Sequence, residues 1–305
     1  MHALCVPLVF KPVYKGYLWG GNRLAAVYGR TDAPEVCAES WEIAARPDGE
    51  SVVAVGPFAG RGLTELAAAY GAALTGTRAH DPRRFPLLFK VIDARDRLSV
   101  QVHPHAENAG RTGGEPKTEM WVVLDRAPGA SLYAGLAEGA TPDSLRRALA
   151  EGTAASLLVE RPVEPGQALF IPGGLVHAIG AGCLIYEVQQ NSNTTYRLFD
   201  WNRVGSDGQP RALHVEESFK TIDWSLPAPQ MIAPDGGDEA DAGWSDVVAC
   251  DYFSVRRLAL TNPLDVAVDD SSFHALFVTA GAVTLSVGGE RVLLRADQSA
   301  LVPAD

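Results

Sequence analysis

Apolar and polar side chains alternate strictly over Leu98-Ser99-Val100-Gln101-Val102-His103, which marks a β-strand with two chemically different faces. Leu98, Val100 and Val102 share the face expected to meet the core, and Ser99, Gln101 and His103 share the other. Lys117-Thr118-Glu119-Met120-Trp121-Val122-Val123-Leu124 predicts another strand, with Lys117 and Glu119 on one face, after the loop Gly113-Gly114-Glu115-Pro116. Ala38–Ile43 and Ser51–Val55 read as strands, the second ended by Gly56-Pro57, and Pro86–Ile92 has the length of a buried one. Strand-and-turn character returns from Val163. Two helices interrupt this pattern. Leu63–Leu74 is rich in Ala and Leu, and Thr141-Pro142-Asp143-Ser144 combines a capping hydroxyl, a first-turn proline and an acid. Leu145, Ala148 and Leu149 supply the second helix with an apolar stripe, and Gly152 a stop.

The expected architecture is mainly β. A larger unit spans 1–224, with a small helical insertion near 137–162 between two strand-rich halves of one barrel. Residues 225–245 look like an exposed acidic linker. A small unit at 246–305 follows, with strands predicted at Tyr252–Leu260, Phe273–Thr279, Val283–Val287 and Val292–Leu294.

With 47% hydrophobic residues, the 305-residue chain can bury a large core. The net charge of −11 excludes a nucleic-acid backbone binder, which needs a clustered excess of Lys and Arg. No apolar run reaches the ~18 residues that would predict a membrane span, and the first residues lack the order of a secretory signal. Four scattered cysteines (Cys5, Cys37, Cys183, Cys250) without a Cys-x-x-Cys pair suit reduced thiols in the cytoplasm. Only five basic residues are lysine, against 21 arginines, and two of those lysines, Lys90 and Lys117, fall beside the candidate chemistry.

A polar strand face can be simply solvated, and a lone Glu at a strand start is normally exposed. The segment from Gly166 to His177 changes that balance, because it reproduces the second cupin motif, G-x5-P-x-G-x2-H. Its Pro172-Gly173-Gly174 turn reverses the chain and aims His177 into a barrel mouth. Gln101-Val102-His103 with Glu119 matches the first cupin motif more loosely. Two imidazoles, a carboxylate and an amide suit Zn²⁺ with room for water or substrate, although Fe²⁺, Mn²⁺ or Co²⁺ would also accept them. His105 also forms a His-x-His pair with His103, but Pro104 ends the strand and leaves His105 out of register. In the segment that follows, Glu187 and Gln189 share a strand face, and Arg197 and Arg203 lie just beyond a polar turn.

Together with Trp19-Gly20-Gly21, Phe89–Ala94, Leu98–Pro104, Lys117–Trp121, Pro172–Ala178 and Glu187–Arg203, these motifs resemble the type I mannose-6-phosphate isomerases (phosphomannose isomerases) in their short bacterial form. The resemblance runs over essentially the whole chain and is strongest between 85 and 205. It implies a pair of cupin-like jelly-roll barrels with a small helical insertion, of which only the first binds metal. It further implies one Zn²⁺ per chain on Gln101, His103, Glu119 and His177. Arg197 falls at the family's active-site arginine, and Lys117 is expected to add positive charge beside it. Glu187, ten residues before Arg197, becomes a candidate general base. Lys90, Ser99, Arg203 and Trp19 become candidate contacts to a sugar phosphate. The implied reaction interconverts mannose 6-phosphate and fructose 6-phosphate through a cis-enediol. Two other functions compete with it: a non-catalytic, sugar-sensing metal cupin, and another cupin metalloenzyme such as an oxygenase. Arg197, Lys117 and Lys90 weigh against the first, and the glutamine against the second. Nothing in the sequence bears on oligomeric state.

Overall fold

The computed structural model describes residues 4–204, 208–233 and 243–304. Its centre is two antiparallel sheets packed face to face. Eleven strands build them: β1 (Val13–Lys15), β2 (Glu39–Ile43), β3 (Leu87–Ala94), β4 (Val100–Val102), β5 (Glu119–Arg126), β6 (Ser131–Leu136), β7 (Leu158–Pro162), β8 (Ala168–Ile171), β9 (His177–Ile179), β10 (Cys183–Gln190) and β11 (Tyr196–Phe199). The six-stranded sheet has the order β8-β5-β10-β3-β2-β1, and the five-stranded sheet the order β7-β6-β9-β4-β11. Between them Ile92, Trp121, Val123, Leu169 and Ile185 of the first sheet meet Leu132, Ala134 and Ile179 of the second. The fold is mainly β and cupin-like, as expected.

Each sheet is also covered on its outer face, so the central strands are buried on both sides. That explains why β3 is hydrophobic almost throughout and why all eight of its residues are buried. Behind the five-stranded sheet, Val100, Val102 and Ala178 pack against Leu145 of the helix Pro142–Ala150 and Ile222 after the helix Val215–Thr221. The apolar face of β4 therefore points outward, beneath helices, and its polar face points into the barrel. Thr141 caps the first of these helices through a reciprocal bond with Ser144, worth about 1 kcal/mol in typical measurements. The other predicted helix, Leu63–Leu74, is broken at Gly71 into Leu63–Tyr70 and Ala72–Thr75.

Behind the six-stranded sheet lie the C-terminal strands, in three two-stranded ladders. β12 (Trp244–Ala249) pairs with β13 (Ser254–Leu258), β14 (His274–Phe277) with β17 (Ser299–Val302), and β15 (Ala282–Val287) with β16 (Glu290–Arg295). The N-terminal segment joins this layer. Leu8 bridges Leu301, and Leu4, Leu8 and Phe10 share a core with Val91, Tyr186, Val248, Phe253 and Leu301. Polar groups tie the layers as well. Arg30, mostly buried, donates to Ser40 Oγ at 2.6 Å and Glu42 Oε1 at 2.9 Å, and its Nε meets Asp297 Oδ2. Of the expected linker, Ile232 exchanges backbone bonds with Ala168, and Leu226 and Met231 pack on the barrel core, while 234–242 lie outside the described residues. Among the described residues, no helix is long and apolar enough to cross a membrane.

Candidate metal and sugar-phosphate site

Three strands bring the donors together inside the barrel. Gln101 and His177 are directly opposed on β4 and β9, and His103 follows Gln101 on the same face. Glu119 opens β5 on the facing sheet. His177 is aimed by the turn before it. Gly174 takes φ +90°, and a Cβ on Gly173 would lie 2.6 Å from Pro104 O, so the turn needs both glycines to close against the end of β4. Gly174 N seals the contact by donating to His103 O at 2.7 Å.

His103 Nε2 and His177 Nε2 are 3.2 Å apart, and Gln101 Nε2 lies 3.5 Å from the former and 3.3 Å from the latter. Glu119 Oε2 is 3.5 Å from His103 Nε2, and Oε1 is 3.4 Å from His177 Nε2. The far ring nitrogens are already engaged: His103 Nδ1 with Thr194 O and His177 Nδ1 with Leu175 O, each at 2.8 Å. Those carbonyls require a proton on Nδ1, which leaves both Nε2 lone pairs directed at the same point. Burial, and then Lys117, hold His103 well below its ordinary value; burial likewise pulls His177 down to about 4, so neutral imidazole persists through ordinary pH. Burial pushes Glu119 up to about 7, against the pull of Lys117. Neither Glu119 oxygen is hydrogen-bonded in normal geometry, although Lys117 Nζ lies 2.9 Å from Oε2 and 3.1 Å from His103 Nε2. Unbonded carboxylate oxygens at full burial are costly unless a cation completes them. One donor atom each from His103, Glu119 and His177 lies within 4.8 Å of the others, a spacing a single ion can bridge. The residues therefore fit a divalent metal, with the Gln101 amide as a fourth donor once its oxygen is turned inward.

Beside this cluster, four side chains form a row across four strands of the six-stranded sheet: Trp41, Lys90, Glu187 and Trp121, each opposite the next in register. Trp121 Nε1 donates to Glu187 Oε2 at 2.9 Å, and Lys90 Nζ lies 3.3 Å from Oε1. Burial raises the Glu187 carboxyl but Lys90 and Lys117 outweigh it and hold the group below its ordinary value. Lys90 is nearly inaccessible and also reaches Glu39 Oε2 at 3.5 Å. Burial weighs against its charge, yet Glu39 and Glu187 raise it above its usual range. Glu39 is absent from the residues singled out in the sequence. Its signal there was slight, an ionisable residue in a predicted strand two positions before a tryptophan.

Arg197 stands opposite Gln101 on β11, and its Nε donates to Ser99 Oγ at 3.3 Å. Ser99 and Gln101 are two residues apart on one strand face, a separation of about 7 Å. Trp19 and Arg203 lie further out and line a cavity of about 310 Å³ with Leu18, Asp96, Asp200, Val204 and Arg211. Buried Asp200 joins Arg203 and Arg211, each at 2.6 Å from Oδ1, and Arg203 is further held by Asp96 and Arg97 O. Burial raises Asp200, but hydrogen bonds from Arg211 and Arg203 outweigh it and keep the carboxyl low. Trp201 and Asn202, both at positive φ, form the turn that swings Arg203 toward this cavity. Arg211 and Asp200, like Glu39, carried no motif in the sequence. His105 lies in the loop after β4, its backbone N–H bonded to Asn108.

Known proteins are similar to this chain in both sequence and fold. The family model described as "Phosphomannose isomerase type I, catalytic domain" matches residues 8–124. The mannose-6-phosphate isomerase of Streptococcus mutans is 34% identical over 301 residues, covering 97% of this chain and 92% of that protein. ManA, a mannose-6-phosphate isomerase of Bacillus subtilis, is 38% identical over 258 residues, 84% of this chain and 80% of its own. The crystal structure of a mannose 6-phosphate isomerase from Bacillus subtilis superposes with a TM-score of 0.87 at 30% identity, over 98% of this chain and 94% of that one. With identity and fold shared over nearly full length, the chain belongs to the type I mannose-6-phosphate isomerase family of aldose–ketose isomerases.

Proposed function

We propose that this protein is a zinc-dependent isomerase that interconverts mannose 6-phosphate and fructose 6-phosphate through a cis-enediol, and that it acts in the cytoplasm. One observation carries the metal: two lone pairs fixed on one point beside a buried carboxylate whose oxygens lack hydrogen bonds. Zn²⁺, one per chain, would be held by Gln101, His103, Glu119 and His177. When bound, the ion supplies a Lewis acid for the sugar carbonyl and its developing negative charge. Lys117 and Arg197 add fixed positive charge on either side of that position, in a site where burial strengthens every charge interaction. Glu187 is the base we assign to carry a proton between C2 and C1. Its ionised state and its place one row from Glu119 on neighbouring strands support this role.

An open-chain hexose spans about the 7 Å that separates Gln101 from Ser99, so a sugar with its carbonyl at the donors ends near Arg197. Ser99 and Arg197 are the inner contacts we assign to the phosphate end, with Trp19, Arg203 and Lys90 contributing around it. Binding energy from that end orients the reacting carbons without touching them. Arrangement of the larger unit at 1–224 around this site, with the small unit after the linker free of metal ligands, is part of the same proposal.

The test is a coupled assay of the purified chain with Zn²⁺, run beside unphosphorylated mannose. Turnover of the phosphate ester that disappears on chelation and returns with zinc is expected. No turnover with metal confirmed near one per chain would sink the enzyme and leave a metal-bearing, sugar-sensing cupin.

A further inference from the structure

Lys90 has two carboxylates for one ammonium. On one side is Glu187, the base assigned above; on the other is Glu39, one strand further out on β2 and diagonal to Lys90 on the same face. The arrangement is nearly symmetric. Glu187 Oε2 takes the indole N–H of Trp121 at 2.9 Å, and Glu39 Oε2 takes that of Trp41 at 2.7 Å. Each tryptophan stands in the row that holds its glutamate's partner, and Lys90 Nζ also lies over the Trp41 ring, 5.3 Å from its centroid. Two indoles thus clamp two carboxylates, and the two carboxylates share one buried cation.

That sharing has a chemical consequence. A buried carboxylate alone with an ammonium forms a full ion pair, which favours its anion and makes it a poor proton acceptor. A second carboxylate on the same ammonium loosens that hold. We propose that Glu39 is a positioning residue for the isomerisation: it shares the Lys90 ammonium, sets how tightly Lys90 holds Glu187, and so keeps Glu187 competent to take a proton from the sugar. The charged groups facing Glu187 are Lys90 from β3 and, from the β5 side, Lys117 and Glu119; Glu39 acts from β2 through Lys90. This role rests on the assignment of Glu187 as the base.

Glu39→Gln keeps the shape and removes the charge. It should lower kcat by about tenfold, a fraction of what a general base contributes, while the KM for mannose 6-phosphate stays within about twofold and zinc stays bound. The acid limb of the kcat/KM profile should move to lower pH, because Lys90 then pairs with Glu187 alone. Glu39→Asp, which restores the charge, should recover most of the rate. A readout independent of turnover separates this proposal from the isomerase assignment. In zinc-loaded protein with δ-¹³C glutamate, the Glu187 resonance, assigned with Glu187→Gln, should titrate at lower pH in Glu39→Gln than in the parent. An unmoved Glu187 titration overturns the sharing of Lys90, whether or not the chain turns over. A moved titration with kcat unchanged, or with kcat and thermal midpoint lost equally in Glu39→Gln and Glu39→Asp, overturns the positioning role.

Discussion

Zinc affinity should fall by one power of ten per pH unit between about pH 7 and pH 4, and the slope distinguishes this site from an ordinary one. Metal displaces whatever protons its ligands hold, so the slope of affinity against pH counts them. Two imidazoles at their ordinary value of 6.5 would each hold a proton below it, and affinity would fall by two powers of ten per unit. Burial instead keeps both rings neutral, His177 down to about 4 and His103 well below its ordinary value. Glu119, pushed up to about 7, is then the single ligand that competes. Glu119 is already half-protonated at pH 7, so from pH 7 to pH 5 the expected weakening is about 50-fold, or about 2.3 kcal/mol at 1.36 kcal/mol per unit. Competition against a chromophoric chelator, corrected for the chelator's own protonation, measures the slope directly. A slope near two between pH 6 and pH 5 would refute the burial argument, and a flat line would refute the protonation of Glu119. Glu119→Gln should bind zinc more weakly and lose the slope in this window.

Arg197→Ala should keep zinc and fold but lose most turnover, whereas His177→Ala should lose the metal; equal activity of Arg197→Ala and parent in the coupled assay would remove that residue from the mechanism. Trp121→Phe deletes the donor to a buried carboxylate oxygen and should cost about 1–3 kcal/mol in urea denaturation, with turnover also reduced. Arg30→Met leaves Glu42 and Asp297 buried without their cation and should cost about 3–5 kcal/mol at pH 8. That loss should shrink toward pH 5. Burial already pushes Asp297 up to about 7 against the pull of Arg30, so its folded-state value lies above the unfolded one. Stability is then present at low pH and lost as pH rises through that interval, and more steeply once Arg30 is gone. Guanidinium melts at the two pH values read both effects.

The parts of the site legible in the sequence were those fixed by local rules. Strand parity put Ser99, Gln101 and His103 on one face, and the Pro-Gly-Gly turn located His177. Which way the faces point was not local. Val100 and Val102 are apolar because helices cover the outside of their sheet, and the polar face is the interior one. Pairing across strands was equally invisible. Glu39 meets Lys90, Asp200 meets Arg211, and Arg30 meets Asp297 through register and long-range packing, to which a single sequence gives no spacing rule. β12 (Trp244–Ala249) was missed because its first two residues fall inside the stretch 225–245, which reads as an exposed linker. The helix expected over Leu63–Leu74 is two pieces and not one, because Gly71, at φ +54°, breaks it.

The bridge between Leu8 and Leu301 bears on how the chain is made. About 290 residues separate the two positions, and a ribosome adding about 5–20 residues per second needs roughly 15–60 s to cover that distance. For that interval the first strand-forming segment has emerged without the partner that completes its layer, and Leu4, Leu8 and Phe10 remain without part of their core. Assembly of the two sheets that carry the candidate metal donors can begin before Leu301 is made, but closure of the layer behind them waits for that segment.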